Sequence, residues 1–120
     1  MDLLSRHCTH LPEGTPPLSG EALTPYLEAV DPRWEVVDSH HLEAAFSFPD
    51  FVTALAFANA VGEVAEAQDH HPEIVLTWGK VTVRIWTHTV NGVSPNDFIL
   101  AARIDALART ATGTGNGNGD

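Results

Sequence analysis

The sequence predicts an α+β domain, a four-stranded antiparallel sheet with three helices packed on one face in the order α-β-β-α-β-β-α. Three observations carry that prediction. Two pairs of short apolar stretches, separated by turn residues, read as hairpins. A long alanine-rich stretch between them repeats its large apolar residues at helical spacing. The same hairpin-then-helix scheme then occurs a second time.

The elements follow in order. Ser19-Gly20-Glu21-Ala22 looks like a helix start, with Ser19 suited to the cap and Glu21 to the positive end of the dipole. Leu23, Leu27 and Val30 recur at spacings of four and three until Asp31-Pro32 stops the helix. Trp34 to Val37 reads as a strand and Asp38-Ser39 as a turn. In the returning strand, His41 to Phe48, the residues Leu42, Ala44, Phe46 and Phe48 share one face. Pro49-Asp50 opens a helix through Gln68, with Phe51, Leu55, Ala58, Val61 and Ala65 as its apolar stripe and Pro72 as its stop. Glu73 to Trp78 and Val81 to His88 form the second hairpin around Gly79-Lys80. After a loop at Asn91-Gly92, Ser94-Pro95-Asn96-Asp97 starts a last helix to about Arg109, with Pro95 where a missing N–H costs nothing.

Outside the domain, expected at residues 19–110, two segments are expected to be flexible. Residues 1–18 contain Gly14, Pro12, Pro16 and Pro17, and residues 111–120 are dominated by Gly, Asn and Thr. A net charge of −10 opposes direct binding to nucleic acid or to anionic membranes. Cys8 is the single cysteine, which rules out an intrachain disulfide and a thiolate cluster. The first residues lack the apolar run of a secretory signal, and no stretch nears the roughly 18 apolar residues of a membrane span, so the cytoplasm is the expected location.

Chemistry concentrates at element ends. His70 and His71 sit between the long helix and the third strand, His88 closes the fourth strand, and Asp97 opens the last helix. Histidine alone among side chains has an ordinary pKa, about 6.5, that lets it give and take protons near neutrality. Each residue also has a plain structural reading. His70 suits the negative end of a helix dipole, His71 could simply be exposed, and Asp97 stands three residues after Ser94 as in a capping box. His40-His41, at a hairpin turn, is read as surface. Strand alternation places Val81, Val83 and Ile85 in the core and Thr82, Arg84, Trp86 and His88 on the helix-free face. A large aromatic there marks a pocket wall or a subunit interface.

Taken together, Glu66, His70-His71-Pro72, Trp78, Thr87-His88 and Asp97 resemble the signature of the pterin-4a-carbinolamine dehydratases. The resemblance extends to Trp34, Phe46-Ser47-Phe48, Asp69-His70-His71-Pro72-Glu73 and Leu100-Ala101-Ala102-Arg103-Ile104, and covers residues 19–110 in order. One departure is Ile74, where many members carry Trp. The resemblance implies removal of water from a 4a-hydroxytetrahydropterin to give quinonoid dihydropterin, a hydro-lyase reaction in tetrahydropterin recycling that needs no metal or other cofactor. It implies His70 and His88 as general acids and His71 as the base. Glu66 and Asp97 would orient the imidazoles, and Pro72, Trp78 and Thr87 would complete the substrate site. It also implies a homodimer or homotetramer and a pathway link to aromatic amino acid hydroxylases. Two rivals stand beside this reading. Three His and an Asp are a familiar metal-ligand set, although adjacent residues seldom bind one ion together. Some relatives of this fold serve as non-catalytic dimerisation or assembly factors.

Overall fold

The structure, a computed structural model, describes residues 1–114, with side chains described through Thr110. Its strands are β1 (Glu35–Val37), β2 (His41–Ser47), β3 (Glu73–Thr77) and β4 (Lys80–Ile85), and its α-helices are α1 (Thr24–Glu28), α2 (Phe51–Gln68) and α3 (Pro95–Thr114). The sheet order is β1-β2-β4-β3, and every neighbouring pair is antiparallel. The α+β architecture and its element order are those expected from the sequence.

Alternation sorts the two central strands as predicted. Leu42, Ala44 and Phe46 of β2 and Val81, Val83 and Ile85 of β4 are buried beneath the helices. In β2, register pairs Leu42 with Ile85, Ala44 with Val83 and Phe46 with Val81, so the apolar side chains face the helices together. Asp38 and Ser39 both take left-handed backbone (φ 54° and 51°), and the His40 N–H bonds Val37 O at 2.9 Å, as a tight turn of matching twist requires. At the other hairpin Gly79 is obligatory for space. A Cβ there would lie 2.9 Å from the Phe48 carbonyl oxygen, and the Gly79 carbonyl accepts the Phe48 N–H at 2.8 Å.

Several details differ from expectation. Helix α1 is short and is preceded by a 3₁₀ turn at Gly20–Leu23, and Ser19 makes no side-chain cap. Pro25, which lacks an N–H, cannot sit inside a longer α-helix without losing a bond. In α2 the buried stripe is Ala54, Phe57, Val61, Ala65 and Gln68, leaving Phe51 and Leu55 exposed. This helix is apolar most of the way round. The stripe holding Phe57 faces inward because its ring packs against Phe46 and Phe48 at 4.9 and 5.0 Å. Helix α3 runs past Arg109 to Thr114, helped by Ala106, Ala108 and Ala111. The tail expected over residues 111–120 lies, from residue 115 onward, outside the described residues.

Residues 1–18 were expected to be loose, and they do have little regular structure. They nonetheless lie against the domain: Leu3 is buried, Arg103 Nη2 bonds the carbonyls of Leu4 and Arg6, and the Leu18 N–H bonds Val93 O. No helix among the described residues is long and apolar enough to cross a membrane.

Candidate active site

Helix α2 ends in a reversal that delivers two histidines. Asp69 adopts the left-handed conformation (φ 51°), its N–H bonds Glu66 O, and the His70 N–H reaches back to Ala65 O at 3.2 Å. This closed helix end turns the chain sharply, so His70 and His71 leave the helix on different sides.

His70 points inward. Its Nε2 lies 2.5 Å from Asp97 Oδ1, and the Asp97 side chain is fully buried. A carboxylate only accepts hydrogen bonds, so Nε2 carries the proton and Nδ1 is the nitrogen left for chemistry. Asp97 is tolerated in the interior because other donors share its charge. The Ser94 N–H bonds Oδ2 at 2.8 Å, and the Thr87 hydroxyl lies 3.1 Å from both oxygens. Ser94 Oγ in turn lies 2.7 Å from Thr87 Oγ1 and accepts the Asn96 N–H at 3.2 Å. Asp97 therefore closes a capping box at the start of α3 and meets His70 with its other oxygen.

His71 turns outward. Its Nε2 meets Glu66 Oε2 at 2.5 Å, but the two side chains are 56% and 77% exposed, so the pair adds little stability. His88 comes from the far side. Past the end of β4, Thr87 bridges Gly92, with Thr87 N–H to Gly92 O at 2.8 Å, and a 3₁₀ turn begins at His88. Successive side chains alternate there: Thr87 points in to Asp97, while Trp86 and His88 face the cleft with ring centroids 6.0 Å apart.

Together these groups border a cleft of about 320 Å³, lined by His70, His71, Trp86 and His88 and by Cys8 to Leu11. Thr87 reaches the lining as well, Asp97 lies behind His70, and Glu66 stands at the rim behind His71. Two sequence candidates fall elsewhere. Trp78 is 68% exposed at the β3–β4 turn, the opposite end of the hairpin from the histidines. Pro72 follows His71 into β3 without lining the cleft.

The sequence did not signal the contacts of Gln68, of Asn96 or of the residues around Cys8, which follow no periodic pattern. His40 and His41, read as surface, pack on the back of Trp86 with centroids 5.3 and 6.1 Å away, and their Nδ1 atoms lie 3.2 Å apart. On the open sheet face Arg84 bonds both Glu43 and Glu73, and its guanidinium holds the Glu43 carboxyl below its ordinary range. Burial pushes the Cys8 thiol up to about 11, so it stays protonated and inert near neutrality. Among the described residues, no three His, Cys, Asp or Glu side chains converge closely enough to hold a metal ion.

Comparison with known proteins bears on this geometry. A family model described as pterin 4 alpha carbinolamine dehydratase matches residues 16–107. The chain belongs to that family. Similar curated proteins include one from Alkaliphilus metalliredigens, 39% identical over 104 residues, covering 87% of this chain and 94% of that one. Another, from Rubrobacter xylanophilus, is 43% identical over 106 residues, covering 88% and 98%. Both are provisionally named pterin-4-alpha-carbinolamine dehydratases. Among solved structures, a transcriptional coactivator/pterin dehydratase from Brucella melitensis superposes with a TM-score of 0.71 at 34% identity, covering 77% of this chain and 98% of that one. A pterin dehydratase-like protein identified as a RuBisCO assembly factor in the alpha-carboxysome superposes at 0.54 with 26% identity, covering 62% and 88%.

Proposed function

We propose that this member of the family is a working dehydratase, taking water from a 4a-hydroxytetrahydropterin. The reaction breaks the bond from carbon 4a to its hydroxyl oxygen, removes the proton on nitrogen 5, and forms the carbon 4a–nitrogen 5 double bond of quinonoid dihydropterin. Hydroxide is a poor leaving group and departs as water only if an acid protonates it. Groups with pKa near the working pH do this best, contributing roughly 10²–10⁴-fold.

The observation that carries the reading is the pairing of imidazoles with carboxylates around one cleft. Asp97 holds Nε2 of His70 and Glu66 holds Nε2 of His71. In each ring a carboxylate fixes the tautomer and leaves Nδ1 for the substrate. His70, backed by a buried carboxylate, acts as an acid at the departing hydroxyl. His88, which lines the same cleft, is a second acid for a hydroxyl presented toward it. His71 takes the nitrogen 5 proton and passes it to solvent, which its exposure permits. Trp86 offers a flat wall for the heterocycle. The substrate partner is thus a pterin carbinolamine, supplied by a pterin-dependent hydroxylase. The exposed β3 edge, carrying Val75, joins copies into a homodimer or homotetramer.

The test is absorbance-monitored dehydration of the carbinolamine by purified protein, with and without a chelator. Activity should persist with the chelator. His70→Ala and His88→Ala should each lower kcat, His71→Ala should raise KM and lower kcat, and the double change His70→Ala/His88→Ala should cost far more than either alone. Full activity in that double variant would remove the acid assignment. The likeness to the RuBisCO assembly factor favours a second reading, a protein-binding role without catalysis, which predicts no acceleration in the wild type.

A further inference from the structure

Residues 7–11 run past the mouth of the cleft as a strap, and two buried amides hold them there. The Cys8 N–H donates to Gln68 Oε1 at 2.8 Å, and the Thr9 N–H donates to Asn96 Oδ1 at 3.0 Å. Asn96 Nδ2 returns a bond to Thr9 O at 2.7 Å, so its amide pairs with the strap backbone as a neighbouring peptide group would. Cys8 Sγ donates to Asn96 O at 3.4 Å, and Gln68 Nε2 lies 3.3 Å from His7 Nδ1. A segment without regular structure is ordered only where such bonds hold it.

The positions of the two amides matter. Gln68 ends α2 two residues before His70, and Asn96 precedes Asp97 in the first turn of α3. Helix ends that present the His70–Asp97 pair therefore also set the height of the strap above it. Three strap residues, Thr9, His10 and Leu11, line the cleft together with Trp86 and His88. The strap lies before residue 16, where the match to the family begins, so this wall is not part of the pattern that defines the family.

We propose that the strap is part of the substrate site, with Leu11 supplying an apolar contact and His10 a hydrogen-bonding edge to the bound pterin. A flat heterocycle with a polar rim needs both kinds of group around it. Trp86 and the three histidines supply part of that lining, and the strap supplies another part. This inference rests on the dehydratase reading, and it concerns binding: His10 and Leu11 hold the heterocycle, while the acid and base groups stay those named above.

Two measurements test it. His10 is exposed and Leu11 half-exposed, so alanine at either leaves the fold intact. Each substitution should raise KM roughly three- to tenfold, the worth of one hydrogen bond or small apolar contact, with kcat within about twofold of wild type. The second measurement uses Cys8, the chain's single cysteine, as a reporter. At pH 9, iodoacetamide should alkylate Cys8 faster in Asn96→Ala, where the strap is released, than in wild type. Saturating 7,8-dihydrobiopterin should slow alkylation of the wild type several-fold. Wild-type dehydration with KM unmoved in both variants, and alkylation indifferent to the pterin, would overturn the strap assignment and leave the dehydratase reading standing. Protection of Cys8 by the pterin in a protein without dehydratase activity would support the strap and remove the catalytic reading.

Discussion

Replacing Asp97 with Asn separates the two duties of that carboxylate. Fully buried, Asp97 receives the Ser94 N–H at 2.8 Å, the Thr87 hydroxyl at 3.1 Å and His70 Nε2 at 2.5 Å. Asparagine keeps the shape but has one accepting oxygen. With that oxygen at the Oδ2 position the cap on Ser94 survives. The amide NH₂ then faces His70, whose Nε2 must give up its proton to accept. Charge-assisted bonds worth about 1.5–3 kcal/mol become neutral ones of about 0.5–1.5 kcal/mol, and relief from burying a charge offsets part of the loss. The net cost should be about 1–2 kcal/mol, a fall in Tm of roughly 5–10 °C. Turnover should suffer more. The ring loses its orienting acceptor, so kcat should drop by about 10²-fold or more. Nitrogen-15 NMR of the imidazoles should show the His70 proton moved from Nε2 to Nδ1. If Tm falls while kcat and the tautomer stay as in wild type, Asp97 is only a helix cap and the orienting role is wrong.

Other predictions concern stability and assembly. Burial raises the Asp105 carboxyl above its ordinary range, against the lowering by Asp31 N–H and Trp34 Nε1, which bond it at 2.9 and 2.8 Å. The native state then holds this proton more tightly than the unfolded chain, whose value is about 3.9. Wild type should therefore gain stability relative to Asp105→Asn as pH falls through the raised value toward about 3.9, and urea titrations from pH 7 to 4 showing the opposite trend would contradict it. Multi-angle light scattering at micromolar concentration should report an oligomer, and a stable 12.9 kDa species would refute the edge-pairing expectation.

Much of the fold was legible because its rules are local. Strand alternation identified the buried sets Leu42-Ala44-Phe46 and Val81-Val83-Ile85, and Pro95 with Ser94 marked the start of α3. Helix α2 shows where such rules stop. Its two apolar stripes are equivalent in sequence, and only the stacking of Phe57 between Phe46 and Phe48 selects one. The element-end positions of His70, His71, His88 and Asp97 were readable, and resemblance added Glu66 and Thr87. That same resemblance drew in Trp78, which the hairpin carries to its far end. Gln68 and Asn96 were invisible because a side-chain amide bonding a backbone 60 or 87 residues away leaves no periodic trace. His40 and His41 looked like turn residues because nothing local announces that Trp86 lies beneath them.

The span of those strap contacts has a consequence for biosynthesis. Thr9 leaves the ribosome's active centre well ahead of its partner Asn96, which follows 87 residues later. At about 5–20 residues per second the strap waits roughly 4–17 s for the amide that fixes it. Both hairpins and α2 are complete before then, so the cleft forms open on one side and is walled last. A nascent chain stalled before residue 96 should have Cys8 more reactive toward iodoacetamide than one in which Asn96 has been added and has emerged.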